Sequence, residues 1–159
     1  MSSVLITGGA GFIGSHTCVS LLEKNYEIIV LDSFVNSHKK SLKGVYEISK
    51  ATNKDIPLFK IKKGDIRNEK ELDNLFNQSI NEGNPIKAVI HFAGLKSVRE
   101  SLLNPLEYWD VNVNGSINLL KVMDKYDCKT IVFSSSATIY GLSENGLLHE
   151  DSEINPPNP

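Results

Sequence analysis

The chain has 159 residues, 40% hydrophobic and 23% charged, which is the composition of one ordinary globular domain. Its formal net charge of -2 excludes a basic field able to gather nucleic acid or an anionic membrane surface. No apolar run approaches the ~18 residues of a membrane span, and no basic region precedes the short apolar stretch at Val4, so it reads as a strand rather than a signal peptide. Cys18 and Cys128 lie far apart and are read as free thiols in a reducing, cytoplasmic setting, although a disulfide between them is open on sequence grounds.

Strands and helices alternate along the chain. Val4–Thr7 is a short apolar strand running into glycines. Phe12–Lys24 follows as a helix with Ile13, Cys18, Leu21 and Leu22 inward. Glu27–Asp32 holds Ile28-Ile29-Val30-Leu31, a continuous apolar run suited to a strand covered on both faces. Ser37–Thr52 reads as a helix with Leu42, Val45, Tyr46 and Ile48-Ser49 marking its face. Leu58–Lys63 is the third strand. Asn68 caps a helix to Ile80, with Glu69 and Glu71 where the helix dipole favours acids and Leu72, Leu75 and Phe76 at helical spacing. Gly83-Asn84-Pro85 breaks the chain ahead of a fourth strand, Ala88–Phe92. Pro105–Tyr126 is a long helix opened by its proline, and Thr130–Ser134 is the fifth strand.

This βαβαβαβαβ order predicts an α/β fold of Rossmann type, a doubly wound parallel sheet of strand order 3-2-1-4-5 with ligands at the carboxyl ends of its strands. Gly9-x-Gly11-x-x-Gly14 matches the dinucleotide fingerprint, and Gly8-x-x-Gly11-x-x-Gly14 matches the alternative spacing. The context suits it: a strand precedes, a helix follows, and Asp32 closes the second strand. Such a loop lets a pyrophosphate approach the backbone at a helix N-terminus. A carboxylate at Asp32 accepts the ribose hydroxyls and repels a 2′-phosphate, which favours NAD over NADP despite the nearby Lys39 and Lys40. Gly64-Asp65-Ile66 suits the adenine, with the carboxylate taking its amino group and the isoleucine covering the ring. In His91-Phe92-Ala93-Gly94-Leu95-Lys96 the small residues permit close approach to the middle of a dinucleotide, and Lys96 brings a positive charge. His91 is flanked by apolar residues and is read as a core histidine. His16, His38 and His149 share no metal-ligand spacing with it, so no metal is expected.

Thr7–His16, His91–Val98, Tyr108–Gly115 and Phe133–Gly141 together resemble the UDP-glucose 4-epimerase family of the extended short-chain dehydrogenase/reductases. The resemblance runs along essentially the whole chain and is weakest over 39–56 and after Gly141. It implies an NAD site lined by Gly8, Gly11, Phe12, Ile13, Gly14, Asp32, Asn36, Ser37, Asp65, Ile66, Phe92, Ala93, Gly94 and Lys96. It implies Ser136 as the catalytic serine, bonded to the sugar 4-oxygen, with Thr138 and Lys96 toward a UDP-hexose. Ser134 and Ser135 read as a strand terminus, and Asn112 as scaffolding in the long helix. The family is expected to be homodimeric and to need a Tyr-x-x-x-Lys pair, whose lysine stabilises the phenolate.

In the family that pair follows a proline-rich stretch such as Asn155-Pro156-Pro157-Asn158-Pro159. The resemblance therefore implies a domain spanning 1–159 that is truncated before strand six, lacks the sugar-binding lobe and does not turn over alone. Tyr46-x-x-x-Lys50 has the spacing but lies between strands two and three, so it is read as a decoy. A nucleotide-sugar 4,6-dehydratase is the rival reading. Its motif carries Thr-Asp-Glu where this chain has Ser136-Ala137-Thr138. A non-catalytic NAD-binding remnant is the other.

Overall fold

The computed structural model describes residues 2–52, 55–141 and 146–159. Its centre is a five-stranded parallel sheet, β1 (Ser3–Thr7), β2 (Glu27–Asp32), β3 (Phe59–Lys63), β4 (Ile86–His91) and β5 (Thr130–Phe133), in the order β3-β2-β1-β4-β5. The order is the expected one. The chain starts in the middle, winds outward through β2 and β3, then crosses back to β4 and β5, so the switch point lies between β1 and β4.

Period-two alternation sends the strand residues to two apolar layers. Ile6, Ile28 and Val30 pack with Cys18 and Leu22 of α1 (Phe12–Glu23) and Leu42 and Val45 of α2 (Lys39–Thr52). Leu5, Ile29, Leu31 and Val89 pack on the other face with α3 (Glu69–Asn81) and with Leu119, Val122 and Met123 of the helix that leads into β5. The apolar run of β2 is buried throughout, as a central parallel strand requires. Asn68 caps α3 by accepting from the Glu71 N–H at 3.2 Å, as read from the sequence.

Several expectations need correction. Ile13 is 60% exposed, not inward, because the first turn of α1 stands beyond the sheet. Tyr46 and Ile48 are also half exposed, leaving Leu42, Val45 and Ser49 as the buried face of α2. That helix starts at Lys39 rather than Ser37, and the Ser37 hydroxyl donates to Asp32 instead. A short helix, α4 (Val98–Leu103), capped by Ser97, was not expected at all. The long helix is not continuous: α5 (Pro105–Trp109) passes through a π-helical turn, Asp110–Asn114, into α6 (Gly115–Lys125). β4 is displaced to Ile86–His91, and a 3₁₀ turn covers Ala137–Tyr140. Among the described residues no helix is long and apolar enough to cross a membrane.

Candidate functional site

The carboxyl ends of the strands open into a cleft of about 340 Å³. Its walls are the loops after β1, β2, β3 and β4, closed on one side by Glu107 and Val111 of the broken helix and by Ser134. Every residue assigned to the cofactor from the sequence lines this one cleft.

Three of the loop glycines are required by the protein's own packing, and a Cβ on one of them, Gly9, would lie 2.8 Å from the buried Val30 Cγ1. Gly8 has φ +70°, and a Cβ there would lie 2.6 Å from the Ala93 nitrogen. A Cβ on Gly14 would run into the Gly8 carbonyl and the Gly9 Cα. Gly11 is different: a Cβ there would meet only the Gly8 oxygen, at 3.3 Å. That is tighter than ordinary van der Waals contact but short of the clashes at Gly8 and Gly14. Gly11 is also the N-cap of α1 and offers no side chain, so the first-turn N–H groups have no side-chain acceptor.

Asp32 sits opposite that helix end and is 7% exposed. Its Oδ2 accepts from the Ala10 N–H at 2.9 Å; its Oδ1 accepts from the Phe34 N–H at 2.9 Å and the Ser37 hydroxyl at 2.8 Å. The second of these contacts needs Phe34 in the left-handed region, φ 60°, a conformation that costs a phenylalanine energy. A buried carboxylate is tolerated only with such partners. Three donors fix its orientation and leave about one of its roughly four acceptor positions for a further donor.

At the β3 end, Asp65 does not stand free, as the sequence reading implied. Arg67 grips it with two nitrogens, Nε to Oδ1 at 3.1 Å and Nη2 to Oδ2 at 2.7 Å. The hydrogen bonds from Arg67 hold the Asp65 carboxyl below its ordinary range, against the opposing pull of partial burial. Ile66 is 4% exposed and packs against Gly115 as part of the core while reaching the cleft wall.

At the β4 end a chain of hydrogen bonds fixes the wall. Ser116 donates to the Asn112 carbonyl at 2.5 Å, so its oxygen is left to accept from His91 Nε2–H at 3.0 Å. His91 Nδ1 is then the acceptor for the Thr7 hydroxyl at 2.6 Å, and the Thr7 oxygen takes the Ala93 N–H at 3.3 Å. Asn112 clamps the backbone of Leu95 from both sides, Oδ1 taking its N–H at 2.7 Å and Nδ2 donating to its carbonyl at 3.0 Å. The π-helical turn is what sets Asn112 here. Burial, aided by the Lys96 charge, lowers the His91 pKa to about 4, so the ring is neutral and structural. Lys96 lines the cleft and makes no ion pair among the described residues.

On the β5 side the fit is looser. Ser136 and Thr138 are exposed and bonded to each other, hydroxyl to hydroxyl, at 2.7 Å; neither lines the cleft. Ser134, read as a plain strand terminus, does. Its N–H continues the ladder to the His91 carbonyl at 3.2 Å. Tyr46 lies on α2 and is absent from the cleft wall, so the decoy spacing stays apart from the site. Sequence reasoning missed Arg67, Val35, Glu107 and Val111. An Asp two residues before an Arg at a strand end was a usable signal for the first; the helix residues carried none.

Cys18 and Cys128 are both buried and free, and burial pushes the Cys18 thiol up to about 12, far from a reactive thiolate. Among the described residues no cluster of His, Cys, Asp or Glu could hold a metal ion.

Residues 5–159 match the GDP-mannose 4,6 dehydratase family. The chain is 46% identical over 157 residues to the UDP-glucose 4-epimerase of Bacillus subtilis (strain 168), covering 99% of this chain and 43% of that protein. It is 48% identical over 140 residues to the UDP-glucose 4-epimerase of Schizosaccharomyces pombe, 87% of this chain and 36% of that one. Among solved structures, the UDP-glucose 4-epimerase of Bifidobacterium longum, in complex with NAD+ and UDP, superposes with a TM-score of 0.83 at 40% identity, over 97% of this chain and 43% of that protein. The chain thus spans less than half the length of these relatives. Sequence, strand order and cleft agree: the chain belongs to the GDP-mannose 4,6 dehydratase family, and within its own length it is a homologue of the UDP-glucose 4-epimerases.

Proposed function

We propose that this chain is the NAD-binding part of a UDP-glucose 4-epimerase, which interconverts UDP-glucose and UDP-galactose by transient oxidation at sugar C4. The observation that carries the reading is the buried, three-donor Asp32 carboxylate beside a helix end whose N-cap, Gly11, carries no side chain. That arrangement fits a dinucleotide: room for a pyrophosphate at the α1 terminus, and a fixed acceptor for a ribose hydroxyl. A 2′-phosphate there would meet an anion in a shielded place, so NAD is favoured over NADP.

In this reading Gly8, Gly11, Phe12 and Ile13 hold the pyrophosphate, Asp32 with Asn36 and Ser37 the ribose, and Asp65 and Ile66 the adenine. Phe92, Ala93 and Gly94 lie against the middle of the cofactor, and Lys96, in no ion pair among the described residues, balances phosphate charge. When bound, NAD supplies the acceptor for hydride from sugar C4. The chain's own part is orientation and exclusion of water. Ser136 would hold the sugar 4-oxygen through a hydroxyl that Thr138 already orients. The Tyr-x-x-x-Lys pair that moves the proton in the family has no counterpart after β5 in this sequence. Residues 1–159 correspond to the NAD-binding part and span less than half the length of the relatives they match. The dehydratase reading, close to the description of the matched family, lacks the acidic pair at Ser136-Ala137-Thr138.

The substrate is a UDP-hexose and the assembly a homodimer. Support for the dimer is an exposed apolar series on α5, the π turn and α6, Leu106, Val113, Ile117 and Leu120, at 82%, 39%, 45% and 49% exposure. The two free thiols suit the cytoplasm.

Titration with NAD and NADP tests the reading. The chain should bind NAD in clear preference, and Asp32→Ala should weaken NAD by roughly 10-fold or more while narrowing the gap to NADP, since it removes a charge-assisted acceptor worth ~1.5–3 kcal/mol. Equal affinity for both dinucleotides in the starting chain would refute the ribose assignment.

A further inference from the structure

Arg67 was not foreseen as part of the site, yet it organises one end of it. Its guanidinium holds Asp65 with Nε and Nη2, and the third nitrogen, Nη1, reaches the Asp110 Oδ2 at 3.2 Å. Its backbone N–H adds a fourth hold, on the Asp65 Oδ1 at 2.9 Å. The partners are themselves fixed. Asp110 Oδ1 accepts from the Asn114 amide at 3.0 Å, and the Asn118 amide donates to the Arg67 carbonyl at 3.0 Å. Asp65 and Arg67 both line the cleft, while Asp110 opens the π-helical turn. The neighbouring Gly64 N–H bonds the Asp32 carbonyl at 3.1 Å, which places this group beside the ribose carboxylate.

The chemistry of the pair is restrictive. Three N–H groups bond the Asp65 carboxylate, the backbone N–H on Oδ1, Nη2 on Oδ2 and Nε shared between the two oxygens at 3.1 and 3.2 Å, so about one of its roughly four acceptor positions is left. A carboxylate gripped by a planar fork is ionised and cannot rotate freely. It can accept from a base edge and cannot donate to one. An amino group at purine C6 satisfies it; a keto oxygen there sets acceptor against acceptor.

Resting on the NAD reading above, we propose that Arg67 is a positioning residue for base selection. It holds Asp65 in the one orientation that selects a 6-amino purine over a 6-keto purine, and Asp110 ties this selector to the π-helical turn. Arg67 does not itself read the base.

The test is the affinity ratio of the 159-residue chain for NAD against nicotinamide hypoxanthine dinucleotide, in which the 6-amino group is replaced by a keto oxygen. Asp65 and Arg67 are each about a third exposed, so the preference should be roughly 10-fold to 100-fold, well below the ~10⁴ of a buried polar mismatch. Arg67→Ala should bring the ratio within about 3-fold of unity, and Arg67→Lys should do the same, because a point charge cannot replace the fork. Asp110→Asn, a change at a half-exposed site, should lower the ratio part of the way, and it carries the test if circular dichroism shows Arg67→Ala unfolded. A purely structural Arg67 would weaken both dinucleotides together and leave the ratio fixed, which overturns the proposal. A ratio near one in the starting chain, with NAD still bound, also overturns it and leaves the NAD reading intact. No binding of either dinucleotide overturns both.

Discussion

At one edge of the sheet β3 reads Phe59-Lys60-Ile61-Lys62-Lys63, and Lys60 is paired with Glu82 of the turn after α3. At the other edge β5 reads Thr130-Ile131-Val132-Phe133, exposed along its whole length and without a charge. Ile131, Val132 and Phe133 are 37%, 58% and 61% exposed. Lysines on an edge strand deter pairing with another chain, whereas an uncharged β-branched edge invites it. The β3 edge is charged; the β5 edge is exposed and apolar. The cleft follows the same division. On the β2 and β3 side each functional group already has its partners, Asp32 with three donors and Asp65 with Arg67. On the β5 side the hydroxyls of Ser136 and Thr138 bond, among the described residues, only within that pair.

The largest consequence is in turnover. A side that holds a nucleotide without a proton-transfer pair should bind and not convert. A coupled assay of the 159-residue chain with UDP-galactose is expected to show no rate above background, since a missing general base alone costs ~10²–10⁴. Clear conversion, lost on Tyr46→Phe, would reverse both this expectation and the dismissal of the Tyr46–Lys50 spacing.

Acid should loosen the seam between the two sides, because His91 joins β1 and β4 to the broken helix. Its folded pKa lies near 4, below the ordinary value of 6.5. Between those values the unfolded chain binds a proton that the folded chain does not, so stability falls as pH drops from 6.5 to 4 and then levels. At 1.36 kcal/mol per unit the loss is on the order of 3 kcal/mol. Asp65 has its pKa lowered from 3.8 and adds its own loss below that window. Urea midpoints measured from pH 7 to pH 4 should show the slope, and His91→Gln should flatten it. An unchanged slope in the variant would place the acid sensitivity elsewhere.

How far these features were legible in the sequence depends on whether the pattern was local. The apolar run of β2, the Asn68 cap and the glycine loop are set by neighbouring residues, and the structure has all of them where the residues implied. Ile13 and Tyr46 were read inward because helical spacing marks a face without saying how far the sheet extends beneath it. The helix α4 buries only Ser101 and exposes Leu102 and Leu103, so it has no amphipathic signature to read. The π turn leaves its residues helical in character while shifting their phase, which composition does not reveal. Asn112 and Asp110 acquire their partners only through that shift.

Bound NAD should stabilise the β2 and β3 side. At 100 times its Kd, mass action adds about 2.7 kcal/mol, enough to raise the melting point of a domain this size by several degrees. A melting curve unmoved by saturating NAD would mean that the cleft does not bind it.

The smallest energies concern the edges themselves, and there an exchange of charge between them is informative. The unmodified chain should self-associate through β5, giving light scattering that rises with concentration. Val132→Lys puts a charge at a 58% exposed position and should cost well under about 1 kcal/mol of stability, as surface substitutions do, while suppressing association. Lys62→Val makes the opposite change on β3, where Lys62 pairs in register with Leu31 and its far side is open; it should increase association. If Val132→Lys left scattering unchanged and Lys62→Val also did nothing, the edges would not be the adhesive surfaces. The exposed series on α5, the π turn and α6, Leu106, Val113, Ile117 and Leu120, would then be the place to introduce the charge, because it is a second exposed apolar series.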